Sequence, residues 1–242
     1  LAGTPVYIVH VSAAQALESV VAARDAGLPV FAETCPHYLF LDDSVYDTPD
    51  FVEGAKAIMT PPLRGLEHQR ALWKGLATGD LQVVSTDHCP YCAHEETLGH
   101  YYSKWSPETS FHSVPNGAPG LETRLPLLFD AAVAKDRLSL NRLVDLAATA
   151  PAKLFGLFPR KGTIAAGSDA DLVLFDPAAR TTVTAAGHHS RIDYSLFEGF
   201  ELQGAIRKVF LRGRMIVEGD TWHGKPGQGA YLRRSASGAV RP

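Results

Sequence analysis

Near its start the chain carries an apolar run that does not alternate with polar residues: Pro5-Val6-Tyr7-Ile8-Val9-His10-Val11-Ser12. β-Branched and aromatic residues without polar alternation predict a strand covered on both faces, as in a parallel sheet. From Ala13 to Ala26 the period becomes helical. Ala16, Leu17, Val20 and Val21 form one stripe, Ser12 stands at the N-cap position and Gly27 stops the helix. Pro29 to Cys35 returns to a strand pattern, completing a βαβ unit whose right-handed crossover makes its two strands parallel. Glu67 to Ala77 repeats the helical stripe through Leu72, Trp73 and Leu76, closes at Gly79 and delivers the chain to another strand, Gln82 to Thr86.

The segments between and beyond these elements carry different signals. Asp42 to Gly54 is acidic and turn-rich. Pro61-Pro62 forbids helix and fixes an extended segment, so Thr60 presents its backbone groups without helical pairing. Tyr91 to Val114 reads as a long loop whose aromatics (Tyr91, Tyr101, Tyr102, Trp105, Phe111) predict a lid or pocket wall. Pro115 to Gly120 is a turn cluster in which Asn116 offers an amide and free backbone groups. Helices are expected at Leu121 to Ala134, Leu140 to Ala148 and Ala152 to Phe155, and a hairpin over Val209 to Val217 about an Arg-Gly turn. The chain accordingly divides into 1–160 as an α/β region, 161–220 as a segment of a small β-domain, and 221–242 as an arm that packs on a neighbour or stays disordered.

Composition narrows the function classes. A 242-residue chain with 45% hydrophobic and 20% charged residues is ordinary for a globular protein. A formal net charge of −3, with no long run of Lys or Arg, favours neither nucleic acid nor an anionic membrane surface as partner. The three cysteines, Cys35, Cys89 and Cys92, argue for a reducing compartment, hence a cytoplasmic setting, and against a disulfide scaffold. No targeting signal is expected, because the apolar run from Val6 to Val11 is too short to span a bilayer. The first residue is Leu1 rather than Met, which fits a chain that begins inside a longer gene product.

Candidate chemistry gathers at strand ends. Ser85-Thr86-Asp87-His88-Cys89-Pro90 places a carboxylate where a buried strand opens into a loop, a position suited to metal or proton chemistry. The bland alternative makes Asp87 a turn cap with His88 packed beside it. His10 stands near the end of a parallel strand, where α/β enzymes assemble their sites. Glu33 and His37 read as groups that shape the surrounding loop or orient ligands. Cys89-Pro90-Tyr91-Cys92 has dithiol spacing and, with His88 and His94, that of a zinc knuckle, but no amphipathic helix follows it to lower a thiol pKa, and only those two histidines are nearby to complete the pair of cysteines.

Taken together, Tyr7 to Ser12, Glu33-Thr34-Cys35-Pro36-His37-Tyr38-Leu39, Pro61-Pro62-Leu63-Arg64, Ser85 to Pro90, Pro115-Asn116-Gly117, Phe155 to Ile164 and Gly167-Ser168-Asp169-Ala170-Asp171-Leu172 resemble the dihydropyrimidinase/D-hydantoinase family of the amidohydrolase superfamily, over its C-terminal half. His188-His189, Asp193-Tyr194 and Phe197-Glu198-Gly199 fit this branch better than allantoinase or dihydroorotase. The resemblance implies the C-terminal part of a metal-dependent (β/α)8 TIM-type barrel, strands six to eight, plus a small β-sandwich. It further implies two Zn2+ ions at the mouth of the barrel, bridged by a carboxylated lysine that lies outside this chain, and a homo-oligomer, dimer or tetramer. His10 would ligate the more exposed metal. Asp87 would ligate the more buried one and act as general base, and Thr60 and Asn116 would hold the ring of a small cyclic amide through backbone groups. The family's other metal positions, a His-x-His pair, the carboxylated lysine and a histidine, would precede Leu1, so the chain alone is expected to be inactive. Two functions stay open beside ring opening of hydantoins or 5,6-dihydropyrimidines: a non-catalytic relative acting as an interaction protein, and an allantoinase-type hydrolase of cyclic ureides.

Overall fold

The computed structural model describes residues 4–94, 103–105 and 110–237. The chain forms two compact units, one of Leu1–Arg124 with Thr182–Phe200 and the other of Leu125–Thr181 with Glu201–Pro242. No helix among the described residues is long and apolar enough to cross a membrane.

The first unit is built on β1 (Val6–Ile8), β2 (Val30–Thr34) and β3 (Val83–Val84), in spatial order β1-β2-β3. Both pairings are parallel, with Tyr7 opposite Phe31 and Glu33 opposite Val83. The crossovers are α1 (Ala14–Asp25) and a longer connection containing α2 (Pro36–Phe40), α3 (Phe51–Lys56) and α4 (Leu66–Thr78). The expected βαβ order is therefore present, in an open three-stranded sheet.

Local chemistry explains the element ends. Gly79 closes α4 in the left-handed conformation at φ 91°, which glycine adopts without a Cβ clash. Gly75 lets α4 seat against α1, since a Cβ there would stand 2.7 Å from Leu17 Cδ2. Around that contact Leu72, Leu76 and Leu81 are fully buried, each stabilising the fold by about 1.5–3 kcal/mol relative to exposure. Asp50 caps α3 by accepting from the backbone N–H groups of Val52 and Glu53.

Three expectations need correction here. The first strand is shorter than the apolar run and is not covered on both sides: Val6, Ile8 and Val9 are 41%, 38% and 47% exposed. An unbroken apolar run reports that a strand suits burial, whereas among the described residues β1 stands at the edge of its sheet, beside β2. Ser12 does not cap α1, whose N-cap is Ala13 with no side-chain bond; Ser12 Oγ instead accepts from Arg64 Nε at 3.2 Å. Within Tyr91 to Val114, β4 (Cys92–His94) and β5 (Ser103–Trp105) pair in parallel, so the segment is not wholly loop. Tyr101 and Tyr102 of the expected lid lie outside the described residues.

In the second unit helix runs from Arg124 to Leu128, continues as π-helix over Phe129–Ala134, and resumes at Leu140–Val144 before a second π-helical stretch, Asp145–Thr149, and Ala150–Leu154. A four-stranded sheet comes next, in order β6 (Leu172–Thr182), β7 (Glu201–Leu211), β8 (Arg214–Glu218) and β9 (Thr221–Trp222). β7 and β8 form the expected antiparallel hairpin, turning through Arg212 and Gly213 at φ 48° and 78°. The arm from Thr221 is not without structure: β9 pairs with β8, and Ser235 donates from its backbone to Gly156 O at 2.9 Å.

Candidate active site

His10 follows β1 and Asp87 follows β3, each at the C-terminal end of its strand. Backbone pairing continues past the regular strands: Val11 N–H donates to Glu33 O at 2.8 Å, and Ser85 N–H to Thr34 O at 3.0 Å. The end of β2 is thus flanked by the segments that carry the two residues. Thr34 Oγ1, fully buried, donates to Val11 O at 2.8 Å and fixes the turn after His10.

Both residues adopt left-handed backbone, His10 at φ 42° and Asp87 at φ 44°. That conformation costs a non-glycine residue about 1–2 kcal/mol, less for Asp and His than for bulkier residues. Among the described residues neither side chain makes a hydrogen bond or an ion pair. Asp87 is exposed and His10 half-buried. The backbone is thus strained at two residues whose side chains have no partner among the described residues.

The groups around them are partnered or held neutral. Cys35, at the end of β2, lies 3.2 Å from Ser85 Oγ, and burial pushes its thiol up to about 12, with the Asp87 charge a smaller contribution. Burial, then the neighbouring His10, lowers His37 to about 4, so its ring is neutral, and its buried Nε2 has no partner among the described residues. Tyr38 donates to Pro61 O at 2.7 Å, and Glu33 accepts from Tyr7 at 2.5 Å. Glu33 and His37 therefore lie beside the strand ends, one bonded to Tyr7 and the other buried and neutral.

Thr60 and Asn116 come together across 56 residues: Thr60 Oγ1 donates to Asn116 Oδ1 at 2.8 Å. Their backbone N–H and C=O groups bond to nothing among the described residues. Gly117 N–H donates to Ile58 O at 3.1 Å, and at φ 112° only glycine fits position 117, because a Cβ would strike Cys89 Sγ.

His88 and Cys89 serve loop structure. Gly120 N–H donates to His88 Nδ1 at 3.2 Å, and Cys89 N–H to Ala118 O at 3.0 Å. Cys92 is buried, with its thiol 3.7 Å from Arg191 O, and Asp193 accepts from Ala93 N–H at 2.6 Å. The dithiol spacing thus marks a braced strand. Two features carry no sequence signal of their own. Glu122 accepts from the backbone of His189 and Ser190 at 2.9 and 2.8 Å; burial opposes its charge, yet these bonds hold its carboxyl below the usual range. Lys104 is wholly buried and donates to two backbone carbonyls.

The model of the amidohydrolase family matches residues 10–216 of this chain. The D-hydantoinase of Streptomyces coelicolor is 47% identical over 236 residues, which cover 97% of this chain and 48% of that protein. The D-hydantoinase of Geobacillus stearothermophilus is 45% identical over 241 residues, covering 99% and 49%. Among solved structures, the D-hydantoinase of Bacillus sp. AR9 superposes with a TM-score of 0.89 at 44% identity, over 97% of this chain and 50% of that one. The dihydropyrimidinase of Brevibacillus agri does so with a TM-score of 0.89 at 43% identity, over 99% and 50%. The chain spans about half the length of the curated relatives it matches. These likenesses imply a TIM-barrel-type fold, while the described sheet of β1 to β3 is an open, three-stranded one.

Proposed function

Because the chain belongs to the amidohydrolase family and matches D-hydantoinases along nearly its whole length, we propose that it is the C-terminal part of a zinc-dependent cyclic amidase. The substrates are hydantoins or 5,6-dihydropyrimidines, opened to N-carbamoyl amino acids. The observation that carries this reading is the pair His10 and Asp87, held left-handed at the ends of β1 and β3 with their side chains unused among the described residues.

The donor chemistry fits zinc. An imidazole nitrogen and a carboxylate oxygen are both zinc ligands, and the cost of the two strained residues is understandable if a metal engages them. Two donors do not complete a tetrahedral shell, and no group of three His, Cys, Asp or Glu able to hold a metal occurs among the described residues. The reading therefore assigns the remaining ligands to a longer protein of which this chain is part. Zinc, when bound, supplies Lewis acidity toward the amide carbonyl and lowers the pKa of water.

This chain's residues then take defined roles. Asp87 accepts a proton from the attacking water and returns it to the ring nitrogen as the amide C–N bond breaks, so one carboxylate acts as base and then as acid. Thr60 and Asn116 offer the backbone donors and acceptors that a cyclic amide needs on both sides of its ring, and their side chains, bonded to each other, keep those backbone groups available. The neutral His37 beside His10 adds no charge to repel a cation there.

The longer protein is expected to hydrolyse hydantoin or 5,6-dihydrouracil and to contain zinc, and the 242-residue chain alone to turn over neither. A longer protein with no metal and no turnover would leave an interaction protein as the better reading. Turnover by the chain alone would overturn the assignment of ligands outside it.

A further inference from the structure

Lys104 lies on β5 with a side chain that is 0% exposed. Burying an ammonium sacrifices its hydration, so it persists only where other groups replace the lost water. Its Nζ donates to Ile58 O at 2.7 Å and to Pro115 O at 2.6 Å. The Tyr91 ring stands 5.7 Å away, and the Cys89 thiol lies near. Among the described residues no carboxylate pairs with it. Burial accordingly lowers its pKa to about 7.

The two carbonyls are informative because of their neighbours in the chain. Ile58 lies two residues before Thr60, and Pro115 directly precedes Asn116. Gly117 N–H shares the Ile58 carbonyl, and the Thr60 hydroxyl reaches the Asn116 amide. Lys104 thus supplies two of the hydrogen bonds that stitch the two segments together. A nonpolar residue in its place would fill the volume while taking the donor from the Pro115 carbonyl and leaving the Ile58 carbonyl only that of Gly117. A buried lysine with no counter-ion among the described residues is a poor choice for stability alone.

We infer that Lys104 is a positioning residue for the substrate, setting the separation and orientation of the Thr60 and Asn116 backbone groups between which the cyclic amide ring binds. The inference rests on the cyclic-amide reading of the site. Lys104 does not touch the reacting atoms; it acts through the two segments, where an error of about 1 Å in a bound ring is enough to cost large factors in rate or affinity.

The test uses the longer metal-loaded protein with hydantoin and 5,6-dihydrouracil, comparing wild type with Lys104→Met and Lys104→Gln. Met keeps the length without donors, and Gln keeps donors that fall short of both carbonyls. The expected result is a KM raised about tenfold or more with kcat within about threefold and zinc content unchanged, a split that general destabilisation would not produce. Lys104→Gln replaces Lys104→Met if the latter does not fold. A folded variant with wild-type KM overturns the inference alone. Absence of turnover by the wild-type protein overturns it together with the reading on which it rests.

Discussion

Arg212, in the β7–β8 turn of one unit, and Asp87, after β3 in the other, share a left-handed backbone, at φ 48° and 44°. Their side chains differ in what they meet. Arg212 donates from its backbone to Asp171 Oδ1 at 2.8 Å and from its guanidinium to Gln228 O, so the strain of the turn is tied into the surrounding network. The same unit pairs Arg207 with Asp176 and Lys208 with Glu218, and joins Lys161 to both Asp169 and Asp171. Asp87 and His10 have no such partners among the described residues. Strain that coincides with partnered charge closes a turn; strain that coincides with an unpartnered side chain at a parallel strand end is the pattern on which the proposed metal site rests.

The largest expected effect separates those cases. In the longer protein, Asp87→Asn should lower kcat/KM by at least about 10³, or about 4 kcal/mol of transition-state stabilisation, with the Tm of the metal-free protein unchanged, because Asn tolerates left-handed backbone as well as Asp does. Steady-state kinetics alongside a thermal melt check it, and a variant that loses stability but keeps its activity would make Asp87 a turn residue like Arg212. Leu72→Ala should do the reverse. This fully buried leucine should cost about 2–5 kcal/mol of stability, read by denaturant unfolding, while folded enzyme keeps its kcat.

A smaller effect is expected from Lys104. Between pH 7 and 10.5 the unfolded chain retains a proton that the folded lysine has released, so its contribution makes stability rise with pH across that window. Melts of wild type and Lys104→Met over pH 7–10 should show a shallower rise in the variant, and parallel curves would count against a lysine whose pKa burial lowers. The smallest effect belongs to the partnered surface: Arg207→Ala should leave kcat/KM within about twofold and the melt nearly unchanged, as expected for an exposed ion pair.

Much of this was legible in the residues themselves. The change from an unbroken apolar run to a helical stripe and back marked the order of β1, α1 and β2, and the Arg-Gly pair marked the β7–β8 turn, because both signals are local. The positions of His10 and Asp87 at strand ends came with that order. Other features depend on tertiary partners. Lysine is among the residues least often buried, so only the carbonyls of Ile58 and Pro115 reveal what Lys104 does. The π-helical stretches at Phe129–Ala134 and Asp145–Thr149 lie in sequence that reads as ordinary helix, since a shift of bonding partner leaves the apolar stripe nearly intact. The exposure of β1 depends on which strands flank it, which its own residues cannot report.

The most direct test of the central claim, that His10 and Asp87 are kept free of protein partners in order to bind metal, is the zinc content per protomer of the longer protein and of its His10→Asn and Asp87→Asn variants, measured by elemental mass spectrometry on folded samples. The account predicts zinc in the wild-type protein and a clear loss in each variant. Undiminished zinc in both would contradict it.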